Sequence, residues 1–500
     1  MAPAEAGWYQ SEDELEPGLD YTYSLDGGDA LPEPRAAYLP HGVHGPARLL
    51  DQGAFRWTDA GWRGAALADA VLYELHVGTF TPEGTFEAAI GKLDHLVRLG
   101  VTCVQLMPVA HFAGARNWGY DGVALYAPHS AYGGPDGFKR LVNACHERGL
   151  SVFLDVVYNH LGPTGNHTER FGPYFSDRYR TPWGKAINFD GPGSEEVRNF
   201  VCENALMWFR DYHLDGLRLD AVHAIYDQSA VHILEELGRR VAGLAEELGR
   251  PLHVVAESDL NDPRPVRPLE LGGYGLAALW NDDLHHALHA LLARESRGYY
   301  ADFGSLADVA KALRDVFVYD GRRSRWRWRR HGRPVGDLGG ERFLAYLQNH
   351  DQVGNRAPGD RAPALMSAGR LRVGAALVLC STGVPLLFMG EEWGASTPFL
   401  FFTDHEDESV AQGTRRGRVE DAARFGWSPA EVADPQAPET FLRSKLDWSE
   451  PGREPYCFLL EWYRALIALR RRLPELRDGR RDLVGVDFDE RAGWLVLRRS

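Results

Sequence analysis

The sequence predicts a (β/α)8 barrel, because short apolar runs alternate with segments of helical periodicity over most of its 500 residues. From residue 70 onward, eight apolar runs have the length of strands, and helical segments lie between most of them. Strand and helix in alternation produce parallel strands, and eight such units close into a barrel. In barrels of this type the functional side chains lie at the carboxyl ends of the strands. The functional site is therefore expected at that end.

The hydrophobic pattern places each element of the barrel in turn. In the first unit, 70–77 is typical of a strand, 85–99 has the period of an amphipathic helix, and 101–106 is the next strand. The eight expected strands are 70–77, 101–106, 150–157, 214–219, 252–256, 276–280, 343–348 and 385–389. The expected helices are 85–99, 136–148, 194–212, 232–248 and 456–472.

Two further segments flank the barrel. Residues 1–63 are rich in glycine, proline and aromatic residues with short strand-like pieces, which predicts part of an immunoglobulin-like β-sandwich. We assign residues 64–478 to the barrel and residues 479–500 to the beginning of a C-terminal β domain. Because neither flanking segment is long enough to complete a sheet, the sequence predicts that part of a β domain is missing at each end.

The composition excludes several classes of function. With 44% hydrophobic and 25% charged residues the chain is typical of a folded protein, and its net charge of −15 argues against a nucleic-acid partner. The segment 322–331 interleaves arginine with tryptophan, a pattern also found where single strands bind, but a solvated loop is the simpler interpretation. A neutral substrate is therefore expected.

Cysteine content and hydropathy indicate the compartment. The five cysteines are odd in number and scattered, which favours free thiols in a reducing environment. The first ten residues lack the basic start and apolar centre of a signal peptide, and no apolar stretch has the ~18 residues of a membrane span. We expect a cytoplasmic protein without a membrane-embedded part.

Four segments place acids at the ends of apolar runs: 155–160, 216–223, 254–259 and 347–352. In the second segment Arg218 and Asp220 share one face of a strand, so the guanidinium keeps the carboxylate ionised, as a nucleophile must be. Glu257 follows another apolar run, where partial burial favours the protonated form that a general acid needs. The pattern indicates a glycosidase that works through carboxylates.

These four segments resemble the four characteristic regions of the α-amylase clan of glycoside hydrolases, and the resemblance spans the whole barrel. Within that clan, several longer motifs are similar to those of the malto-oligosyltrehalose trehalohydrolase family. The motifs are 73–84, 180–184, 187–193, 280–283, 350–355 and 390–394. The resemblance implies retaining hydrolysis of the α-1,4 bond next to the terminal trehalose of maltooligosyl trehalose, which releases trehalose.

The resemblance also implies a role for each of three carboxylates. Asp220 matches the nucleophile, and Asp351 matches the carboxylate that stabilises the transition state. Glu257 matches the acid/base, which protonates the departing oxygen and then activates water. A fixed carboxylate near a developing oxocarbenium ion interacts more strongly as positive charge grows, which is the physical reason for the third acid.

Further side chains are expected to bind the sugar. By the same resemblance, Tyr120 stacks on the ring whose bond is cut, and Arg218 orients and ionises Asp220. Polar and aromatic residues near the strand ends complete the expected binding site: His160, His223, Trp280, Asn281, Asp282, Asp283, His285, His350, Gln352, Asn355 and Trp393. Of these, the segment 280–283 with His285 and Gln352 is expected to recognise the trehalose end, because amide and carboxylate groups can select hydroxyl positions.

Two metal sites are conceivable, and neither is expected. His285 and His289 are four residues apart on one helical face, a spacing that suits zinc, but the carboxylate of the usual His-Glu motif is missing. Asn159 resembles an asparagine that coordinates calcium in many α-amylases. No cluster of acids between residues 161 and 188 completes the ~6–8 oxygen ligands that calcium needs. The sequence predicts no metal and no cofactor.

Two other functions fit parts of the pattern. The glycogen branching enzyme of the same clan shares the first-strand and Trp-Gly-Tyr motifs, and it transfers the glycosyl group to a sugar hydroxyl instead of water. The alternative from another class is a barrel that binds sugar without catalysis. The presence of three carboxylates with Arg218 and His350 argues against it. The family further implies a functional partner, the synthase that makes maltooligosyl trehalose.

Overall fold

A closed barrel of eight parallel strands lies at the centre of the computed structural model, which describes residues 1–3, 8–11 and 14–500. The strands are β1 (Leu72–Leu75), β2 (Cys103–Leu106), β3 (Ser151–Val156), β4 (Gly216–Leu219), β5 (His253–Ala256), β6 (Ala278–Trp280), β7 (Phe343–Ala345) and β8 (Val384–Phe388). They are hydrogen-bonded in chain order, and β8 closes on β1. The predicted barrel is confirmed, and each strand overlaps its predicted range.

The register of the barrel brings the carboxyl ends of neighbouring strands level. Leu219, the last residue of β4, pairs with Ala256, the last residue of β5. Phe388 of β8 pairs with Glu74 of β1. Apart from His253, every residue of the eight strands is buried, which explains why their sequences are apolar without alternation. Side chains that follow the strands therefore gather at one end of the barrel.

Helices and short segments of helix surround the barrel. They are Val77–Phe80, Phe86–Ile90, Leu93–Leu99, Gly134–Glu147, Ser194–Asp211, Ile233–Leu248, Asp282–Ala293, Leu306–Asp315, His350–Gly354, Ala362–Leu365, Ala368–Leu379, Glu408–Arg424, Pro438–Arg443, Tyr456–Arg472 and Pro474–Arg477. The predicted helix 456–472 is confirmed to the residue. The prediction of one helix over 85–99 is wrong, because the first helix ends at Ile90, with Gly91 as its C-cap, and a second begins at Leu93. Glycine is a poor helix former, which favours the break there.

A long segment between β8 and the last barrel helix, residues 389–455, is called the excursion here. It returns to the functional end of the barrel. It contains the helices Glu408–Arg424 and Pro438–Arg443 before the last barrel helix begins. Two hydrogen bonds tie it to the loop after β2: Trp118 Nε1 donates to the Leu400 carbonyl at 2.9 Å, and the Ala115 amide donates to the Asp404 carboxylate at 2.9 Å. The excursion therefore forms part of the wall around the strand ends.

Short antiparallel pairs make up the remaining strands. They are Ala2–Pro3 with Tyr9–Gln10, Asp20–Tyr21 with Ala47–Arg48, Tyr23–Ser24 with Ala30–Leu31, Ala110–His111 with Ala124–Pro128, Phe175–Thr181 with Gly184–Ile187, Asp320–Arg323 with Arg330–Gly332, and Val484–Asp489 with Trp494–Arg499. The division into residues 1–63, 64–478 and 479–500 stays a prediction. In the part of the chain that the structure describes, no helix has the length and apolar character to cross a membrane.

The segment rich in arginine and tryptophan, 322–331, lies at the turn of a hairpin. Trp328 is 80% exposed, so the tip of the turn is in contact with solvent. Arg327 points back toward the barrel and forms an ion pair with Asp259 at 2.9 Å. The segment is a hairpin turn that an ion pair anchors beside the end of β5.

Candidate active site

Three carboxylates predicted from the sequence lie at the carboxyl end of the barrel. Asp220 directly follows β4, Glu257 directly follows β5, and Asp351 lies in the short helix that comes after β7. Backbone hydrogen bonds continue the barrel ladder through the first two: the Asp220 amide donates to Val156 at 3.0 Å, and the Glu257 amide donates to Leu219 at 3.0 Å. The sheet itself therefore holds Asp220 and Glu257 at the same level.

One buried guanidinium connects these acids. Arg218 Nη1 lies 2.8 Å from Asp220 Oδ1 and 2.7 Å from Asp155 Oδ2, and Nη2 lies 3.4 Å from Glu257 Oε2. The Arg218 side chain is fully buried, and its guanidinium carbon lies 4.4 Å from the centre of the Trp280 ring. A buried cation in this position attracts the carboxylates that it contacts and holds them in place. Two of the predicted acids thus share a single guanidinium.

Asn159 donates to the Asp220 carboxylate and helps to orient it. Its Nδ2 donates to Asp220 Oδ2 at 2.8 Å and to the Asp220 carbonyl at 2.9 Å. Its Oδ1 faces His160 Nδ1 in a short hydrogen bond. Both oxygens of Asp220 therefore have a donor, Arg218 on one and Asn159 on the other, which fixes the orientation of the carboxylate.

Glu257 is held in a different way from Asp220. Its Oε2 accepts a hydrogen bond from the Ala221 amide at 2.6 Å. Ala221 has a φ of +41°, in the left-handed region that alanine rarely adopts, and this conformation aims its N–H at Glu257. Burial raises the pKa of Glu257 well above its usual range, although the Arg218 guanidinium lowers it. A raised pKa favours the protonated form that a general acid needs.

His350 forms hydrogen bonds to Glu74 on β1 and to Tyr120 in the loop after β2. Its Nδ1 lies 2.7 Å from Glu74 Oε1, its amide donates to Glu74 Oε2 at 3.0 Å, and its Nε2 lies 2.7 Å from the Tyr120 hydroxyl. The same hydroxyl donates to Asp155 Oδ2 at 2.7 Å. Because the single Tyr120 proton goes to Asp155, His350 Nε2 must donate, and Nδ1 must donate to the Glu74 carboxylate. The hydrogen bonds therefore require a doubly protonated, cationic ring.

Electrostatics agree with that protonation state. Burial disfavours the imidazolium, but the Asp351 and Glu74 carboxylates outweigh it and raise the pKa of His350 to about 9. Burial also raises the pKa of Asp155 to about 7, whereas Arg218 lowers it. The Asp155 Oδ2 atom accepts from both Arg218 and Tyr120, which are the contacts of an ionised carboxylate. Positively charged side chains therefore alternate with carboxylates at the centre of the site.

Substitution Glu74→Gln tests the buried ion pair. Because the folded-state pKa of His350 is raised from 6.5 to about 9, the stabilisation is fully present below about pH 6.5 and is lost as the pH rises through about 9. Removing one partner of such a pair is expected to lower the free energy of unfolding by about 3 kcal/mol at pH 7. Urea unfolding at pH 7 and at pH 10 measures the difference, with the exposed Glu87→Gln as control. An equal difference at both pH values would mean that His350 is neutral.

Two histidines and a tryptophan lie beside the Asp220 end of the site. His160 is 5% exposed, its Nε2 lies 3.0 Å from the Tyr120 carbonyl, and its ring stacks on Trp183 at 5.0 Å. Trp183 is 51% exposed at the turn of a hairpin, so it extends this wall toward solvent. His223 is half-buried in the turn after Asp220, and its Nδ1 has no hydrogen-bond partner within the described residues. That nitrogen is itself shielded from solvent, so it does not face the open site.

The segment after β6 contributes one half-buried carboxylate to the site. Asp282 Oδ1 accepts from the Tyr346 hydroxyl at 2.6 Å and from Gln352 Nε2 at 3.1 Å. Burial raises the pKa of Asp282 to about 6, and the nearby Asp351 carboxylate adds to the rise. The side-chain oxygen Oε1 of Gln352 accepts a hydrogen bond from the backbone amide of Asn349. Asp282 and Gln352 therefore lie near Asp351, and their role at the trehalose end stays a prediction.

Four residues of the predicted set have their polar groups bound by parts of the fold outside the group of three carboxylates. Asp283 is 2% exposed, and its Oδ2 accepts from the amides of Val318 and Tyr319 and from Asn261. The other three are also buried against protein partners: Asn281 donates to the Val316 carbonyl, His285 lies between the Leu347 carbonyl and the Tyr300 hydroxyl, and Trp393 donates to Glu450. These contacts are structural, since each satisfies a polar group inside the fold.

Three residues that the sequence prediction did not assign prove to be central. Asp155 and Asn159 lie in the first acid-bearing segment, so their position at a strand end was a usable signal. Glu74 is the lone acid in the first apolar run, and a single charge in a buried strand is the sign of a polar partner nearby. Their contacts with Arg218, Asp220 and His350 could not be read from spacing, because the partners come from other strands.

The histidines considered for zinc have protein partners. The His285 and His289 rings lie 5.3 Å apart, and His289 Nε2 contacts Glu295 at 2.8 Å. Both nitrogens of His285 already face oxygen atoms. Across residues 1–3, 8–11 and 14–500, no group of three or more histidine, cysteine, aspartate or glutamate side chains has an arrangement that could hold a metal ion.

Comparisons with known proteins agree with this geometry. Residues 53–179 match the model of the alpha amylase catalytic domain. The chain is 53% identical to malto-oligosyltrehalose trehalohydrolase from Arthrobacter ramosus, over 99% of this chain and 86% of that protein. It superposes with a TM-score of 0.89 on a Salmonella typhimurium protein assigned as an alpha amylase, which is 42% identical over 95% of this chain and 81% of the other. A 1,4-alpha-glucan branching enzyme from Mycobacterium bovis is 32% identical over only 52% of this chain and 40% of its own.

Proposed function

The chain belongs to the malto-oligosyltrehalose trehalohydrolases of the α-amylase clan, and from this membership we propose that it hydrolyses maltooligosyl trehalose with retention and releases trehalose. The observation that carries the proposal is the group of three acids at the carboxyl end of the barrel, two of which share the buried Arg218 guanidinium. Contact with one guanidinium keeps the Asp220 and Glu257 carboxylates close together, as a retaining mechanism requires.

Asp220 is the nucleophile of the proposed reaction. The donors Arg218 and Asn159 each hold one oxygen of its carboxylate and so fix its orientation for attack. It attacks the anomeric carbon of the glucose unit next to trehalose, and the bond to the trehalose oxygen breaks. The product of this step is a covalent maltooligosyl-enzyme with inverted configuration at that carbon.

Glu257 is the general acid and then the general base. In the first step its proton passes to the trehalose oxygen as that oxygen departs. In the second step the resulting carboxylate takes a proton from water, which attacks the anomeric carbon and displaces Asp220. The second inversion restores the original configuration, and Glu257 is protonated again at the end of the cycle. Its raised pKa suits both roles, because the same group must give and take the proton near neutral pH.

Asp351 and His350 stabilise the charge and position of the sugar. Asp351 is 42% exposed, so its carboxylate faces the open site where positive charge develops on the ring. His350, held as a cation between Glu74 and Asp351, donates from Nε2 to the Tyr120 hydroxyl. The Tyr120 ring lies nearly parallel to the His350 ring at 5.3 Å, which fixes the aromatic face on which a sugar packs.

Asp282 and Gln352 recognise the trehalose end in this proposal. Asp282→Ala is expected to lower kcat/KM for the capped substrate by roughly tenfold more than for a plain maltooligosaccharide, because a hydrogen bond to a charged group contributes about 1.5–3 kcal/mol. Steady-state kinetics on the two substrates measure this selectivity. Equal losses of kcat/KM on both substrates would mean that Asp282 does not recognise the trehalose end.

Asp283→Asn is the matched control for that experiment. Because Asp283 binds the amides of Val318 and Tyr319, its replacement is expected to lower the thermal unfolding temperature without changing the ratio of the two activities. A selective loss of activity on the capped substrate in this variant would place Asp283, and not Asp282, at the trehalose end.

A separate synthase must supply the capped substrate, so we propose a functional partnership with an enzyme that forms the terminal α,α-1,1 link. We also propose that the protein works in the cytoplasm. The support for this location is that all five cysteines are unpaired and three of them are buried, as in proteins of reducing compartments.

Product analysis tests the proposed function. The protein is incubated with a trehalose-capped maltooligosaccharide and with the uncapped oligosaccharide of equal length. We expect free trehalose from the first and little turnover of the second. New α-1,6 branches without trehalose would indicate a branching transferase, and sugar binding without turnover would indicate a non-catalytic barrel.

A further inference from the structure

A single cation from the excursion after β8 contacts the helix that carries His350 and Asp351. Arg418, in the helix Glu408–Arg424, donates from Nη1 to Asn355 Oδ1 at 2.9 Å and from Nη2 to the Gly354 carbonyl at 3.1 Å. Its guanidinium carbon lies 4.7 Å from the centre of the Phe401 ring. Two hydrogen bonds and one aromatic face therefore fix the plane of the guanidinium.

The contact with Arg418 determines which way the Asn355 amide points. A guanidinium has only donors, so the amide must present its oxygen to Arg418. The amide nitrogen then necessarily faces the other way, and it donates to Asp351 Oδ1 at 3.1 Å. If the amide were reversed, its oxygen would meet the Asp351 carboxylate, and two acceptors would face each other. Arg418 thus excludes the repulsive orientation.

Asp351 depends on the Asn355 donor more than Asp220 or Glu257 depends on any single donor. Its side chain is 42% exposed, whereas those of Asp220 and Glu257 are 13% and 15% exposed. Among the residues that the structure describes, the nearest other side-chain donor to its carboxylate is His350 Nε2, at 3.5 Å. A half-exposed carboxylate that one side-chain donor holds at 3.1 Å can change its rotamer when that bond is lost.

We propose that Arg418 is a positioning residue for Asp351: by orienting the Asn355 amide and binding the carbonyl end of the helix His350–Gly354, it holds the third carboxylate toward the reacting sugar. The inference rests on the role of Asp351 in the proposed function. It connects the excursion after β8 to the chemistry, since Arg418 lies far along the chain from all four acid-bearing segments.

The first test compares Arg418→Met with the control Arg416→Met on the same helix, where Arg416 is exposed. Arg418→Met is expected to lower kcat about tenfold for the capped substrate, because small misplacements of a catalytic group are costly, while KM changes less than twofold. Arg418→Lys retains one donor and is expected to recover part of kcat. A rise in KM with unchanged kcat would overturn the proposal, because it would mean that Arg418 binds the substrate directly.

A double-mutant cycle with Asn355→Ala gives the sharper test. If Arg418 acts through the Asn355 amide, Arg418→Met is expected to cost less than twofold in kcat when Asn355 is already alanine. Full additivity of the two effects would overturn the proposal. Asp351→Asn is measured in parallel. Retention of activity in Asp351→Asn would instead refute the role assigned to Asp351, so the two failures are distinguishable.

Discussion

Asp220→Ala is expected to abolish release of trehalose, with kcat lower by roughly four orders of magnitude, which is typical for loss of a catalytic nucleophile. The expectation follows from the contacts of Asp220, because both of its oxygens are held by donors that aim the carboxylate. Removal of the side chain leaves Arg218 and Asn159 in place, so binding of the substrate is expected to persist. Steady-state kinetics with the capped substrate measure the loss, and Asp337→Ala, at an exposed aspartate before β7, serves as control.

Azide distinguishes loss of the nucleophile from general damage. In Asp220→Ala the small anion can enter the vacated space and attack the anomeric carbon directly, so the expected product is the β-glycosyl azide. Formation of the α-azide, or activity above one per cent of the wild type without azide, would show that a different group is the nucleophile. Thermal unfolding of the variant confirms that it is folded.

Glu257→Gln is expected to lower kcat for the capped substrate about 10³-fold, since proton transfer by a positioned group contributes 10²–10⁴-fold. The loss in kcat/KM should be much smaller with a maltosyl fluoride, because fluoride departs without protonation and kcat/KM reports only the steps up to formation of the covalent intermediate. With azide added, the expected product is the α-glycosyl azide, formed by attack on the covalent intermediate of Asp220. Equal losses on the capped substrate and the fluoride would contradict an acid role for Glu257.

The dependence of kcat/KM on pH provides a second test of the role of Glu257. Because burial raises the pKa of Glu257, its protonated form persists to higher pH, and kcat/KM is expected to fall as the pH rises through that pKa. In Glu257→Gln this fall should disappear. The basic limb that remains should be that of His350, whose pKa is raised to about 9. An unchanged profile in the variant would mean that Glu257 does not control the basic limb.

The barrel was predictable because its strands are buried on both faces and are separated by amphipathic helices. The helix Ser194–Asp211 illustrates this, since it agrees with the predicted 194–212 to within one residue. Sequence analysis gives no bounds for the helix Asp282–Ala293 and only places His285 and His289 on one helical face. Most residues of this helix are buried, three histidines among them, so it lacks a polar face. The break at Gly91 depends on a single residue, which periodicity over a longer window does not detect.

The site was predictable as far as strand ends determine it. Arg218 and Asp220 lie on one face of the chain entering the site because side chains alternate along a strand. The neighbouring pair Asp282 and Asp283 shows the limit of this reasoning. One lies beside Asp351 and the other binds backbone amides inside the fold. Adjacent acids look alike in sequence, and only the position of the segment 316–319 against the barrel separates them.

The configuration of the first product tests the central claim most directly. Proton NMR follows cleavage of a trehalose-capped maltooligosaccharide before mutarotation is complete. The account predicts trehalose and the α-anomer of the shortened maltooligosaccharide in equal amounts, because two inversions at Asp220 restore the starting configuration. Initial release of the β-anomer would contradict the nucleophilic role of Asp220, and cleavage at other bonds without trehalose would contradict the proposed specificity.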